Sequence, residues 1–493
     1  MSFPLVYEVS TRCWLRELAE RRGGPVTLAS VPDEPLVQWQ KSGFSHIWMM
    51  GVWPTGSRCR KAVLNDPHLR QALPAALPDW TEDDISGSPF AVAGYQVPEA
   101  LGGEAGLSRF RERLHAHGLK LLLDFVPNHV GLDHPWVNAQ PDLFVQGPPE
   151  TAGLFPQGPD PRARWLAHGK EPNFPPWIDT VQLDYRRLET HTAMIDVLKS
   201  LARRCEGVRC DMAMLQLEEV FQQHWQHLPA AGPSTRHDFW RNAIRSVKQD
   251  WPEFLFLAEV YWDLEARLQS LGFDFTYDKR LCDYVVSRNP VEITRHLLGV
   301  TPDFLAASAH FLENHDEARI ASLLSAPEHR AAALLALGLP GLRLLYEGQL
   351  TGARLRLPVQ LGRRPAEPVD AEITAFYGAL LKTLQSTAVG HGQGTLLPPR
   401  SAWPGNESAK NLVVVQWQAT PEAFDLVVVN LSPNPSQCYA TLTVPDLARR
   451  NWRMRDRLGT EEYQRFGDDL QNQGLYLDLP GHGAQLFHFQ PLV

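Results

Sequence analysis

The run Gly207-Val208-Arg209-Cys210-Asp211-Met212-Ala213-Met214 holds an arginine and an aspartate inside an otherwise apolar segment. Side chains alternate along a strand with a period of two, so Arg209 and Asp211 share one face. A carboxylate is costly to bury unless it is paired. Two explanations are open at this point: a structural ion pair, or a catalytic carboxylate held ionised by its neighbour. What the rest of the chain builds around the segment decides between them.

Outward from this run, short apolar stretches alternate with amphipathic ones. The strand-like stretches are Val6 to Val9, His46 to Trp53, Leu119 to Val126, Gly207 to Ala213, Phe254 to Tyr261, Phe273 to Thr276, His310 to Glu313 and Leu342 to Tyr346. Helical stretches fall between them. Leu107 to His117 carries Leu107, Phe110 and Leu114 at helical spacing and is stopped by Gly118. Glu189 to Arg204 puts Met194, Ile195, Leu198 and Leu201 on one face, and Arg241 to Gln249, Leu264 to Leu271, Ala331 to Leu337 and Ala371 to Leu384 fill later slots. Eight strands each followed by a helix close most simply as an α/β fold, a (β/α)8 TIM barrel, with its active site at the C-terminal ends of the strands.

Two stretches break the alternation. Between about Val130 and Thr180 the chain is rich in Pro, Gly and Trp, as in Gly158-Pro159-Asp160-Pro161 and Phe174-Pro175-Pro176-Trp177, and reads as a small irregular subdomain projecting over the site. A second long loop, Gly348 to Val369, follows the eighth strand and carries Arg354, Arg356, Arg363 and Arg364. After about Val389 short β-branched runs separated by Pro, Gly, Asn and Asp read as an antiparallel β-sandwich. The expected organisation is a barrel over 1–129 and 181–388, an inserted subdomain over 130–180, and a C-terminal sandwich over 389–493.

Composition bounds the chemistry. The 493 residues are 44% hydrophobic and 21% charged, as expected for a globular chain, and the formal charge of -9 comes without a dense Lys/Arg run. Neither a nucleic acid nor a membrane surface is an expected partner. The first residues lack a basic leader with an apolar core, which reads as a cytoplasmic protein. Six cysteines, at positions 13, 59, 205, 210, 282 and 438, show no CxxC spacing, so neither a disulfide framework nor a zinc site is indicated. Fifteen tryptophans exceed what the core needs, and exposed aromatic faces stack on sugar rings. No feature encodes the oligomeric state.

Polar residues gather where strands end. The third strand ends Asp124-Phe125-Val126-Pro127-Asn128-His129, the fourth with Arg209 and Asp211, the fifth with Glu259, and the seventh with Glu313-Asn314-His315-Asp316. Asp211, Glu259 and Asp316 therefore converge on one mouth. Three carboxylates at the same end of three barrel strands are poorly explained as separate structural acids.

As a set, these four segments resemble the motifs of the α-amylase family of retaining α-glycosidases (glycoside hydrolase family 13). The resemblance implies Asp211 as nucleophile, Glu259 as general acid/base and Asp316 as the carboxylate that stabilises the transition state. It further implies substrate contacts from Arg209, His129 and His315, a sugar-stacking ring at Tyr95, and site roles for Asp124 and Asn128. Arg209 is expected to keep Asp211 anionic, whereas the apolar run before Glu259 is expected to raise its pKa. One departure stands out: the family places Lys-His after the nucleophile motif, and this chain reads Met214-Leu215. No cofactor is expected. Asn128 offers an oxygen that Ca²⁺ could take, without an evident oxygen-rich partner set.

The expected substrate is an oligosaccharide or small glucoside. The same carboxylates also serve transglycosylation, phosphorolysis or sugar isomerisation, and the sequence leaves these open. The four loop arginines read either as a phosphate site or as a solvated basic loop. An inactive carbohydrate-binding scaffold is the alternative of another class, against which stands the presence of all three acids.

Overall fold

Residues 2–158, 164–230, 238–420 and 422–492 are described by a computed structural model. Eight parallel strands close a barrel: β1 (Leu5–Ser10), β2 (His46–Met50), β3 (Lys120–Phe125), β4 (Gly207–Cys210), β5 (Leu255–Ala258), β6 (Phe275–Tyr277), β7 (Ser308–His310) and β8 (Leu342–Tyr346). Each strand pairs with its neighbours in chain order and β8 returns to β1. Every residue of β2, β4, β5, β7 and β8 is buried, which is why these strands read as short apolar runs without alternation.

The predicted strands are found, several with shifted ends. β4 stops at Cys210 because Met212 turns into the left-handed region, at φ 44°. β7 spans Ser308–His310 instead of reaching Glu313, whose carboxylate leaves the sheet to accept from Arg319 Nη1 at 2.7 Å and the Ile320 amide at 2.6 Å. At the start of β4 only glycine fits, because a Cβ on Gly207 would lie 2.6 Å from the Leu255 carbonyl oxygen.

The stretch after β3 is less irregular than its composition suggests. Strands His129–Gly131 and Thr180–Gln182 pair antiparallel, and Gln146–Gly147, Leu154–Pro156 and Trp165–Ala167 form a small sheet. Positions 159–163, which include Pro159-Asp160-Pro161, lie outside the described residues.

Beyond the barrel, a six-stranded antiparallel sheet faces a three-stranded one. Both faces of strand Leu412–Thr420 are covered: Val413, Val415 and Trp417 join the barrel's core, while Leu412 and Val414 join the core between the two sheets. The Trp417 indole N–H donates to the Gly338 carbonyl at 2.8 Å, tying this sheet to the helix Ala326–Gly338. Four strands were not foreseen, the short Gln393–Leu397 and Arg400–Ser401 and the pair Asn451–Asp456 and Glu462–Phe466. Of that pair, the first buries only Trp452, Met454 and Asp456, and the second is an exposed edge, so neither carries a β-branched run. Among the described residues no helix is long and apolar enough to cross a membrane.

Gly207→Ala should force β4 and β5 apart and lower unfolding free energy by about 1–3 kcal/mol. Urea unfolding measures this, and an unchanged midpoint would show that the strands have room to spare.

Candidate active site

Arg209 stands at the centre of the barrel mouth, fully buried in a cage of rings, its guanidinium carbon 5.2 Å from the Phe90 ring centroid, 5.5 Å from Trp48 and 6.0 Å from Tyr277. Its charge is divided. Nη1 lies 2.5 Å from Asp211 Oδ1, and Nη2 lies 2.7 Å from Glu259 Oε2. The same Oε2 accepts the Met212 amide at 2.7 Å, a bond made available by the left-handed turn at that residue. Tyr261 donates its hydroxyl to Glu259 Oε1 at 2.8 Å. Both oxygens of Glu259 are thus held by groups from β4 and from its own loop.

The third carboxylate comes from the turn after β7. Asn314 Oδ1 accepts the amides of Asp316 and Glu317, at 2.9 and 3.1 Å, and this Asx turn presents Asp316 at the mouth with its side chain 39% exposed. His315 bridges inward from there, with Nε2 2.9 Å from Asp316 Oδ2 and Nδ1 2.5 Å from Glu8 Oε1 on β1.

These contacts sort the protonation states. Burial raises the Glu259 carboxyl to about 7; Arg209 opposes this, and the charges of Asp211 and Asp316 reinforce it. Burial raises Asp211 as well, against the pull of Arg209. Arg209 favours the anion of Asp211, as expected, but its pull is divided, because one guanidinium serves two buried carboxyls. Burial would raise Asp316 too, but His315 and Arg209 outweigh it and hold Asp316 at about 2. Burial would lower His315, yet Asp316 and Glu8 raise it well above the usual histidine range, so it stands as an imidazolium between two carboxylates.

The other expected site residues are placed less simply. Asp124 is buried, with Oδ1 accepting from the Trp48 indole at 2.9 Å and Oδ2 from the Gly51 amide at 2.7 Å, so it braces the end of β2. Asn128 exchanges side-chain amide bonds with Gln182 and accepts from Gln216 at 3.4 Å. Amide donors around its oxygen do not fit Ca²⁺, and nearby Asp184 is held by both a 2.8 Å bond from Arg186 Nε and one from Nη2. Among the described residues no cluster of three or more His, Cys, Asp or Glu suits a metal ion. His129 packs its ring 5.1 Å from Trp177 of the inserted segment, and burial lowers its pKa to about 4. The Tyr95 hydroxyl bonds both the amide and the carbonyl of Val126.

Three residues at the mouth escaped the sequence reading. Phe90 stacks on His315, with centroids 5.2 Å apart and planes at 30°. Glu8 and Tyr261 lie in an ordinary-looking strand and loop, and nothing local marks either as a partner of a distant His315 or an adjacent Glu259. Of the four loop arginines, Arg363 pairs with Asp79 and Asp84, and Arg364 with Glu17 and Glu347, so these two are not open to an anion, whereas Arg354 and Arg356 are exposed.

Known proteins resemble this chain in sequence and in fold. The chain is 26% identical over 351 residues to the α-amylase MalA of Haloarcula japonica, covering 69% of this chain and 47% of that protein. It is 25% identical over 261 residues to the α-1,4-glucan:maltose-1-phosphate maltosyltransferase of Salinibacter ruber, covering 50% of this chain and 32% of that one. The chain thus spans about half or less of the length of these curated relatives. Solved structures of similar fold include an α-amylase from Lactobacillus plantarum, with a TM-score of 0.67, 21% identity and 98% of both chains covered. Another is the α-amylase GTA from Geobacillus thermoleovorans, complexed with acarbose, with a TM-score of 0.66, 18% identity and 99% of both chains covered. Residues 91–356, more than half of the sequence and the part that carries β3 to β8 with all three mouth carboxylates, match the α-amylase catalytic domain, and the chain belongs to the α-amylase family.

Proposed function

We propose that the protein is a retaining α-glycoside hydrolase acting on α-glucans or small α-glucosides. Asp211 is the nucleophile, Glu259 the general acid and base, and Asp316 the carboxylate facing the positive charge of the transition state. The observation that carries this reading is the sharing of one guanidinium by Asp211 and Glu259. Two carboxyls gripped by the two terminal nitrogens of one arginine are held close to one another, as a retaining pair requires.

Asp211 attacks C1 of the bound sugar while Glu259 gives its proton to the departing oxygen, leaving a covalent glycosyl-enzyme. Glu259, now anionic, takes a proton from water, whose oxygen displaces Asp211 and restores the α-anomer. Asp316 stays ionised throughout, since His315 and Arg209 hold it at about 2. His315, with one ring nitrogen facing Glu8 and the other facing Asp316, acts by keeping Asp316 ionised and in place.

Likeness to maltosyltransferases favours a second reading, in which another sugar replaces water as acceptor. The pairing of Arg363 and Arg364 with carboxylates gives phosphate as acceptor little support. Six buried cysteines, none in a disulfide, support a reducing compartment such as the cytoplasm.

Incubation with 4-nitrophenyl α-glucoside and with maltooligosaccharides should give turnover that Asp211→Asn abolishes, with the α-anomer first seen by NMR; early β-product would exclude retention. Absence of turnover on a broad α-glycoside panel would point to a binding scaffold. For Glu259→Gln the loss should be about 10²–10⁴-fold on maltooligosaccharides and far smaller on the aryl glucoside, whose leaving group needs no proton. Because the acid must be protonated, wild-type kcat/KM should fall as pH rises through about 7. That alkaline limb should vanish in the Gln variant, and its persistence would assign it to another group. Glu8→Gln removes one charge-assisted bond to His315 and should lower kcat/KM by about 10- to 100-fold, equivalent to about 1.5–3 kcal/mol; full activity would mean that Asp316 alone holds the imidazolium.

A further inference from the structure

The two oxygens of Glu259 keep different company. Oε2 lies 2.7 Å from Arg209 Nη2 and accepts the Met212 amide at 2.7 Å, so it faces two groups that only donate. A proton on Oε2 would point at other protons, and the neutral acid therefore carries its proton on Oε1. Among the described residues, the Tyr261 hydroxyl is the only group hydrogen-bonded to Oε1, at 2.8 Å. A hydroxyl both donates and accepts. It can take the hydrogen of the neutral acid and, by turning about its C–O bond, give its own to the anion.

The fold holds Tyr261 to this contact. Its ring packs against the barrel's core, and it folds back onto the acid two residues earlier in the chain. Directly afterwards the chain turns through Trp262 and Asp263, both left-handed, at φ 64° and 62°. Such backbone is costly for a bulky residue and persists where the surroundings impose it. Asp263 anchors the turn through its ion pair with Arg280. Burial, together with the charges of Glu259 and Asp316, raises the Tyr261 hydroxyl well above the usual phenol range, so it keeps a proton to share.

We propose that Tyr261 is a positioning residue for the acid, fixing Oε1 as the oxygen that gives up the proton and supporting the negative charge left there. This rests on the reading of Glu259 as the general acid. In the first step the Oε1–H bond breaks as an O–H bond forms on the departing oxygen, which leaves C1 with its bonding pair. The pair left on Oε1 meets the Tyr261 hydrogen. In the second step Oε1 takes a proton from water, and the hydroxyl turns back to accept. Without this donor the buried anion would stand on Oε1 with nothing facing it. The other charged or titratable groups around Glu259 are Arg209 on β4, Asp211 just after it, Asp316 after β7, Tyr277 on β6 and Glu171 on the inserted segment, and none of them is bonded to Oε1.

Tyr261→Phe keeps the ring and removes the hydroxyl. Infrared difference spectra across pH can follow the protonated carboxyl band that Glu259→Gln lacks. Losing a donor to the anion raises the pKa, so the midpoint, about 7 in the wild type, should move up by about one to two pH units, the worth of a hydrogen bond to a charged group. The alkaline limb of kcat/KM on a maltooligosaccharide should move up with it. Below that limb kcat/KM should fall about ten-fold on the maltooligosaccharide and far less on 4-nitrophenyl α-glucoside, whose leaving group needs no proton. In the Glu259→Gln background, adding Tyr261→Phe should lower maltooligosaccharide turnover no further, since no anion forms there. A midpoint that stays put, or an equal further loss in the Gln background, overturns the proposal while leaving Glu259 as the acid. Should Glu259→Gln retain full maltooligosaccharide turnover, or the wild type turn over neither substrate, the hydrolytic reading of Glu259 fails, and the infrared midpoint still decides whether Tyr261 supports the charge on Oε1.

Discussion

Everything at the mouth is arranged around one buried guanidinium. Arg209 is wholly enclosed by rings and strands, and a cation in that position is tolerable only because two carboxylates meet it. The dependence runs both ways: without Arg209, Asp211 and Glu259 would be two buried acids repelling each other. Sharing the charge leaves each of them only partly compensated. That is why a proton is retained near neutral pH on this pair, while Asp316, with an imidazolium of its own, is ionised at any ordinary pH. One arginine therefore both assembles the pair and leaves it able to hold a proton.

The scaffold delivers these groups by backbone constraints that lie a few residues from the chemistry. Gly207 lets β4 approach β5 closely, the left-handed Met212 turns an amide onto Glu259, and the Asx turn at Asn314 lifts Asp316 out of the sheet. Behind the mouth, Glu8 on β1 closes a chain of carboxylate, imidazolium and carboxylate that spans the barrel from its first strand to its seventh. These residues touch no reacting atom, yet each fixes one that is placed to do so.

Much of this was legible in the chain itself. Eight apolar runs spaced by amphipathic ones predicted a closed barrel, since strands buried on both faces lose their alternation and stand out as short uniform runs. The three carboxylates were legible for a related reason: an acid at the end of such a run has no water to face except at the barrel mouth. The strands Asn451–Asp456 and Glu462–Phe466 were not legible, because the first alternates Trp and Met with Arg and the second is an exposed edge, and neither has the β-branched composition by which strands are recognised.

Sequence alone determined the order of the barrel elements, the place of the three acids after strand ends and the pairing of Arg209 with Asp211, all of which follow from local pattern and period. Only the tertiary structure decided that Arg209 is shared with Glu259, that Glu8 stands behind His315, that Phe90 lies against them, and that Arg363 and Arg364 are already taken. These depend on contacts between residues separated by tens to hundreds of positions, and a charge buried in common by two strands leaves no trace in either strand read by itself.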